Sequence, residues 1–192
     1  MPFNLIFLKN FDIIFIESEG ITVEIFDKFE STLMNWLRDN GIDSVWAIKF
    51  GLEYAYEIDT HTIVIGTDSS SEDELFMSYC EDRGCRCAGI PSNIMSFLHE
   101  VGHSQTIHQM MAEDDKFMDK CITCKRFWYD NAMTAREDLF GYWSSPDEAA
   151  ANEWEIRFIN ENQGAIVELY DLWNSAINEI ANSIVNMMIP AA

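Results

Sequence analysis

Basic residues are scarce in this chain. Its 192 residues include 12 lysines and arginines against 33 aspartates and glutamates, which gives a formal net charge of −21 at pH 7. Such a surface repels nucleic-acid phosphates and acidic membranes, so we expect neither direct nucleic-acid binding nor a membrane partner. The charge is compatible with a basic protein partner, and it is typical of an acidic cytoplasmic protein.

Long apolar runs are also missing, and no uninterrupted apolar stretch is long enough to span a bilayer. The segment Met1-Pro2-Phe3-Asn4 has no basic region and no small-residue cleavage site, which argues against a signal peptide and favours a cytoplasmic location. Hydrophobic residues nevertheless make up 48% of the chain. This length and composition predict one folded domain, residues 1–192, with a substantial core.

Cysteines are few, and their number, five, is odd. Four of them form two close pairs, Cys85 with Cys87 and Cys121 with Cys124. In a chain without a targeting signal, this spacing favours metal binding over disulfides. The four thiolates would hold a structural zinc ion, and Cys80 could replace Cys85 or Cys87. The alternatives are free thiols, or a redox pair at Cys121 and Cys124.

Hydrophobic spacing predicts an α+β chain whose first part, 1–70, is mainly β with one helix. Residues 3–16 have the composition of one or two buried strands, and residues 23–38 have the period of an amphipathic helix. Three further runs are predicted strands: 45–50, 52–58 and 62–65. The short links between these three runs favour a small antiparallel meander.

The second part, 71–192, is predicted to be mainly helical, with an irregular connection at 80–91. Ser71-Glu72-Asp73-Glu74 has the form of a capping box, which predicts the start of a helix there. The predicted helices cover residues 71–79, 91–111, 127–142, 146–160 and 165–188.

Histidine is also scarce, with four residues, and two of these stand in His99-Glu100-Val101-Gly102-His103. On a helix, residues four apart lie on the same face, so both imidazoles can bind one zinc ion. Glu100 is then placed to act as a general base on a zinc-activated water. The alternative is a surface helix whose two histidines are merely solvated.

A catalytic zinc needs a third protein ligand and one open position. In metzincins this ligand is a histidine six residues after the second histidine, but Gln109 stands there, and His108 is one position short. The sequence therefore excludes the metzincin pattern.

A second motif lies downstream, in Glu148-Ala149-Ala150-Ala151-Asn152-Glu153-Trp154. Together with the histidine motif, it resembles the gluzincin metallopeptidases, most closely the ImmA/IrrE type, which pairs H-E-x-G-H with a helix reading E-x-x-A-N-x-aromatic. The resemblance implies a zincin-like fold in which Glu148 is the third zinc ligand. It also implies that Asn152 hydrogen-bonds a liganding histidine. The resemblance covers two short motifs within residues 92–160, and no DNA-binding helix-turn-helix accompanies them.

Glu148 has a competing interpretation, because Ser145-Pro146-Asp147-Glu148 also has the form of a capping box. In that case the side chain would only close a helix N-terminus. Glu137 and Asp138 are then the alternative third ligands.

These observations predict a zinc-dependent endopeptidase that acts on a protein or peptide substrate, with the substrate strand lying along the edge of the sheet. A further donor for the tetrahedral oxyanion is expected, and four side chains are candidates: Tyr129, Tyr142, His108 and Tyr170. The alternative function is an acidic protein-interaction or inhibitor module on a zincin scaffold, without proteolytic activity.

Overall fold

The computed structural model describes residues 21–66 and 73–188, and this part of the chain is α+β. The strands predicted within residues 3–16 lie outside the described residues, as do Ser71 and Glu72 of the predicted capping box. No described helix is both long and apolar enough to cross a membrane.

The described part of the chain contains seven helices: α1 Ile21–Asp39, α2 Asp73–Asp82, α3 Ser92–Glu113, α4 Phe117–Asn131, α5 Ala135–Trp143, α6 Pro146–Glu161 and α7 Gln163–Met188. Five of them confirm predicted helices to within about three residues at each end. The single helix predicted over 127–142 is wrong, because the helical conformation is interrupted between α4 and α5. There the Thr134 hydroxyl accepts a hydrogen bond from the Glu137 amide, and this cap begins a new helix.

Within the described residues there are three strands, β1 Ala47–Gly51, β2 Ala55–Glu57 and β3 Thr62–Gly66, arranged in the order β1-β3-β2. β2 pairs antiparallel with β3, but β1 pairs parallel with β3, so the predicted antiparallel meander is wrong. The reason is the burial of β3, whose five residues are all buried. A strand covered on both faces belongs in the middle of a sheet, with a neighbour on each side.

The hydrophobic core lies between α1, the sheet, α3 and α7. Leu33 and Leu37 of α1, Ile63 of β3 and Leu169 of α7 have no exposed surface. Trp173 of α7 packs edge-on against Phe29 of α1. Apolar residues at helical spacing predict that one face of the last helix belongs to the core, and its first half confirms this with the buried residues Ile166, Leu169 and Trp173.

Helix α3 runs through the centre of the protein and packs closely against α6. A Cβ atom on Gly102 would lie only 2.6 Å from the Ala151 carbonyl oxygen, so only glycine allows this approach. The contact turns one face of α3 toward the first turn of α6. The residues on these two facing surfaces form the site described next.

Candidate metal centre

Two histidines of α3 and one glutamate of α6 meet in the interior. His99 and His103 are 9% and 8% exposed, and their ring centroids lie 4.7 Å apart. Glu148, in the first turn of α6, is 3% exposed. Its Oε2 atom lies 3.0 Å from His99 Nε2 and 3.4 Å from His103 Nε2. One ligand atom from each residue therefore falls within 4.8 Å of the other two, which is a geometry that can hold a metal ion.

Opposite charges stabilise this group. Burial raises the pKa of Glu148, but hydrogen bonds from His103 and His99 outweigh it and bring the pKa far below its usual range. Burial lowers the pKa of His99, yet the carboxylates of Glu148 and Glu155 outweigh it and leave the pKa well above its usual value. Both shifts have the same cause: the buried carboxylates favour positive charge at the imidazoles, and a bound cation would supply positive charge at the same place.

The second oxygen of Glu148 is held by a lysine that the sequence interpretation did not include. Lys125 of α4 places its Nζ atom 2.7 Å from Glu148 Oε1 and 2.7 Å from Asp147 Oδ2. This ion pair directs Oε2 toward the histidines. Three carboxylates, those of Glu100, Asp147 and Glu148, line the cavity with a single lysine, and this excess of negative charge over neutral imidazoles favours a divalent cation.

The structure does not support the alternative in which the Glu148 side chain only caps the N-terminus of α6. Ser145 is the N-cap of α6 but makes no side-chain capping hydrogen bond, and its hydroxyl instead lies 2.8 Å from two acceptors, the Tyr142 carbonyl and the Asp147 carboxylate. Glu148 faces the histidines. Glu137 accepts a hydrogen bond from the Met133 amide at the exposed start of α5, and Asp138 lines a different depression, so neither replaces Glu148.

The predicted partner of a liganding histidine needs a correction. Asn152 is fully buried, but its amide donates to the Trp143 carbonyl at 3.3 Å, and its Oδ1 atom has no hydrogen-bond partner. The carboxylate on the Nδ1 side of His99 is that of Glu155 instead: this residue has no exposed surface, and its Oε2 atom is 3.8 Å from His99 Nδ1. Glu155 follows Glu148 by seven residues, two helical turns, and this spacing could have identified it in the sequence.

Unpartnered polar atoms around the site fit a metal ion. Neither Glu155 oxygen has a hydrogen-bond partner, and the Nδ1 atoms of His99 and His103 have none either. A metal bound at Nε2 leaves the proton of a neutral imidazole on Nδ1, where it can be donated to a carboxylate. Two imidazoles and one carboxylate are a ligand set found in catalytic zinc sites.

The group of three lines a cavity of about 430 Å³. Its lining also includes residues 54–56 of the sheet region, Lys125 and Tyr142. Glu100 also lines the cavity, is 8% exposed, and burial raises the pKa of its carboxyl. Of the predicted oxyanion donors, Tyr142 reaches this cavity, whereas Tyr129 and Tyr170 do not line it.

The four cysteines proposed for a structural zinc do not come together. Cys85 and Cys87 are buried in the main core beside Cys80, whereas Cys121 belongs to a separate small apolar cluster. Within residues 21–66 and 73–188, the histidine-glutamate group is the only set of potential metal ligands. Burial raises the pKa of the Cys121 thiol to about 11, which disfavours the thiolate that zinc requires. All five cysteines are free thiols.

We expect the substitution Glu155→Gln to lower the zinc affinity about 10- to 100-fold, because an amide replaces the carboxylate that faces His99 Nδ1. Titration of the metal-free protein with zinc measures this change. The double substitution Cys121→Ser with Cys124→Ser is the control, and it should leave one zinc per chain at unchanged affinity. An unchanged affinity in Glu155→Gln would show that this carboxylate does not support the histidine.

Comparison with known proteins identified no relative of this chain. A scan against protein-family models found no match, and searches of curated proteins and of solved structures likewise found none.

Proposed function

We propose that this protein is a zinc-dependent endopeptidase with a zincin-like fold. One observation carries the proposal: His99, His103 and Glu148 converge in the interior, and Glu100 lines the same cavity. A site that only stabilises the fold needs ligands and no free base. The buried carboxylate of Glu100, which is not one of the three candidate ligands, therefore favours catalysis.

When bound, zinc would lower the pKa of a coordinated water and polarise the scissile carbonyl. Glu100 would accept the proton of the attacking water and return it to the leaving amine. Burial raises the pKa of this carboxyl, so it is a stronger base than an exposed glutamate. Lys125 would keep Glu148 in place through its contact with the outer carboxylate oxygen.

A peptide substrate is supported by the position of β2. Among the described strands β2 lies at an edge, because it pairs only with β3, and residues 54–56 line the cavity. An extended peptide can pair with the backbone of such an edge and place a peptide bond near the histidines. The resemblance of the two motifs to the ImmA/IrrE type of gluzincin supports the same function.

The competing function is an acidic interaction or inhibitor module without proteolytic activity. The net charge of −21 favours it, since such a surface attracts basic proteins. It gives no reason, however, for a buried Glu100 beside the candidate ligands in an open cavity.

The proposal is tested by cleavage of an unfolded protein, such as reduced casein, by protein loaded with one equivalent of zinc. We expect cleavage that is abolished by a chelator and restored by added zinc. The substitution Glu148→Gln should lose both zinc binding and cleavage, because two histidines alone do not hold a catalytic zinc. Absence of cleavage by the zinc-loaded protein, on both casein and a library of peptides, would favour the interaction module.

A further inference from the structure

A cluster of aromatic hydrogen-bonding residues adjoins the cavity and has no part in the mechanism above. The Tyr56 hydroxyl lies 2.9 Å from His108 Nε2 and 3.2 Å from His61 Nδ1. The two imidazole rings are stacked, with centroids 4.2 Å apart and planes inclined by 12°. Tyr56 itself lines the cavity that contains His99, His103 and Glu100.

The hydrogen-bond roles within this cluster follow from one contact. His61 Nδ1 lies 3.1 Å from the Ser44 carbonyl oxygen, and a carbonyl only accepts, so His61 carries its proton on Nδ1. The Tyr56 oxygen therefore faces the same N–H group, whose single proton is shared between the Ser44 carbonyl and the Tyr56 oxygen. The phenol proton is left with two directions, toward His108 Nε2 or into the cavity.

The backbone is shaped to keep His61 in this place. His61 has φ of 51°, and it is the one described residue other than glycine with a positive φ. Such a conformation is uncommon for a residue with a side chain, and it persists only where surrounding contacts maintain it. Ser44 supplies such a contact, and its hydroxyl also lies 2.8 Å from Ser104, next to His103 on α3. The cluster is thus fastened to the helix that carries the candidate ligands.

We propose that Tyr56 donates a hydrogen bond to the substrate oxygen that becomes negatively charged during peptide hydrolysis, and that His61 and His108 position its hydroxyl. The inference rests on the proposed function, since it names a further residue of the same site. Burial raises the pKa of Tyr56 to about 12, so the phenol keeps the proton that it must donate. When the His108 ring carries its hydrogen on Nε2, the Tyr56 oxygen accepts from both imidazoles. The phenol hydrogen of Tyr56 then points into the cavity. Accepting two N–H groups also strengthens the phenol as a donor.

The test compares wild-type protein with Tyr56→Phe, each first shown to bind one equivalent of zinc. We expect kcat for a peptide substrate to fall about 100-fold in the variant with KM nearly unchanged, the loss typical of removing one oxyanion donor. Calorimetry with a phosphinic peptide, whose tetrahedral phosphinate imitates the charged intermediate, should show a similar loss of affinity. Tyr170→Phe is the control, because it removes a hydroxyl from α7, away from the cavity.

His108→Phe separates positioning from direct contact, because it keeps a ring to stack on His61 and removes the hydrogen bond. We expect a loss of about tenfold in kcat, and no further loss when it is combined with Tyr56→Phe. Losses that simply multiply in the double variant would overturn the positioning role. Equal kcat and phosphinate affinity in Tyr56→Phe and wild-type protein would overturn the role of Tyr56 while leaving the proposed function intact. If zinc-loaded wild-type protein neither cleaves peptides nor binds the phosphinate, the proposed function fails, and this inference fails with it.

Discussion

Replacing Glu100 by glutamine should leave zinc binding unchanged and lower peptide hydrolysis about 100- to 10,000-fold, the range expected for loss of a general base. Glu100 lies in the cavity but outside the group of three residues that can hold the metal. The amide has nearly the same shape as the carboxylate but cannot accept the proton. Zinc titration and steady-state hydrolysis of one peptide substrate measure the two effects separately.

The fold should tolerate this substitution. Burial is the largest influence on Glu100 and raises its pKa, so an uncharged side chain is not disfavoured there. Glu113→Gln is a matched control, because Glu113 ends the same helix, is exposed, and accepts a hydrogen bond from Gln109. Hydrolysis by Glu100→Gln at the wild-type rate would exclude Glu100 as the base. A loss of zinc from this variant would instead indicate that Glu100 is a ligand.

The parts of the fold that follow from local spacing could be predicted from the sequence. The ranges predicted for α3 and α7, 91–111 and 165–188, agree with the helices because the spacing of apolar residues within one segment is sufficient to identify a helix. Strand pairing depends on contacts between residues that are distant in the sequence. The alternation of apolar and polar residues in the predicted strand 52–58 does not indicate which strands pair with it. The parallel pairing of β1 with β3 therefore could not be predicted from short connections alone.

The residues of the site also divide into those that local spacing predicts and those that depend on the packing of distant segments. His99 and His103 belong to one helix, so their spacing was sufficient to place them together. Glu148 lies 49 residues after His99, and only the resemblance to a known type of motif suggested it. Lys125 has no sequence signature of this kind, because its role comes from the way α4 and α6 pack together. Glu155 follows Glu148 by two helical turns, so the spacing within α6 could have identified it.

The cysteine interpretation did not hold for a related reason. Close pairs such as Cys121 and Cys124 are typical of zinc ligands when they lie on loops or turns that can converge. In the structure this pair lies within α4, with Cys121 in a small apolar cluster and Cys85 in the main core. Spacing along the chain predicted that the four cysteines converge, but it contains no information on the elements that carry them or on the direction of their side chains.

The close contact between α3 and α6 is what joins the two halves of the site, and Gly102→Ala should disturb both its stability and its chemistry. The new Cβ atom would lie 2.6 Å from the Ala151 carbonyl oxygen and 3.0 Å from Ala151 Cα. These are backbone atoms, which cannot rotate away, so the two helices must separate. We expect a loss of about 1–3 kcal/mol in the free energy of unfolding, the usual cost of overpacking.

The same separation should also weaken function, because Gly102 precedes His103 directly and Ala151 follows Glu148 by less than one turn. A displacement near 1 Å between the histidines and the carboxylate would lower hydrolysis about 100-fold. Denaturant unfolding and zinc titration of the same preparation measure both effects. Gly164→Ala is the control, since a Cβ there meets nothing within 4 Å. If Gly102→Ala unfolds at the wild-type denaturant concentration and binds zinc normally, the helices are not as closely packed as described, and the alignment of Glu148 with the histidines must have another cause.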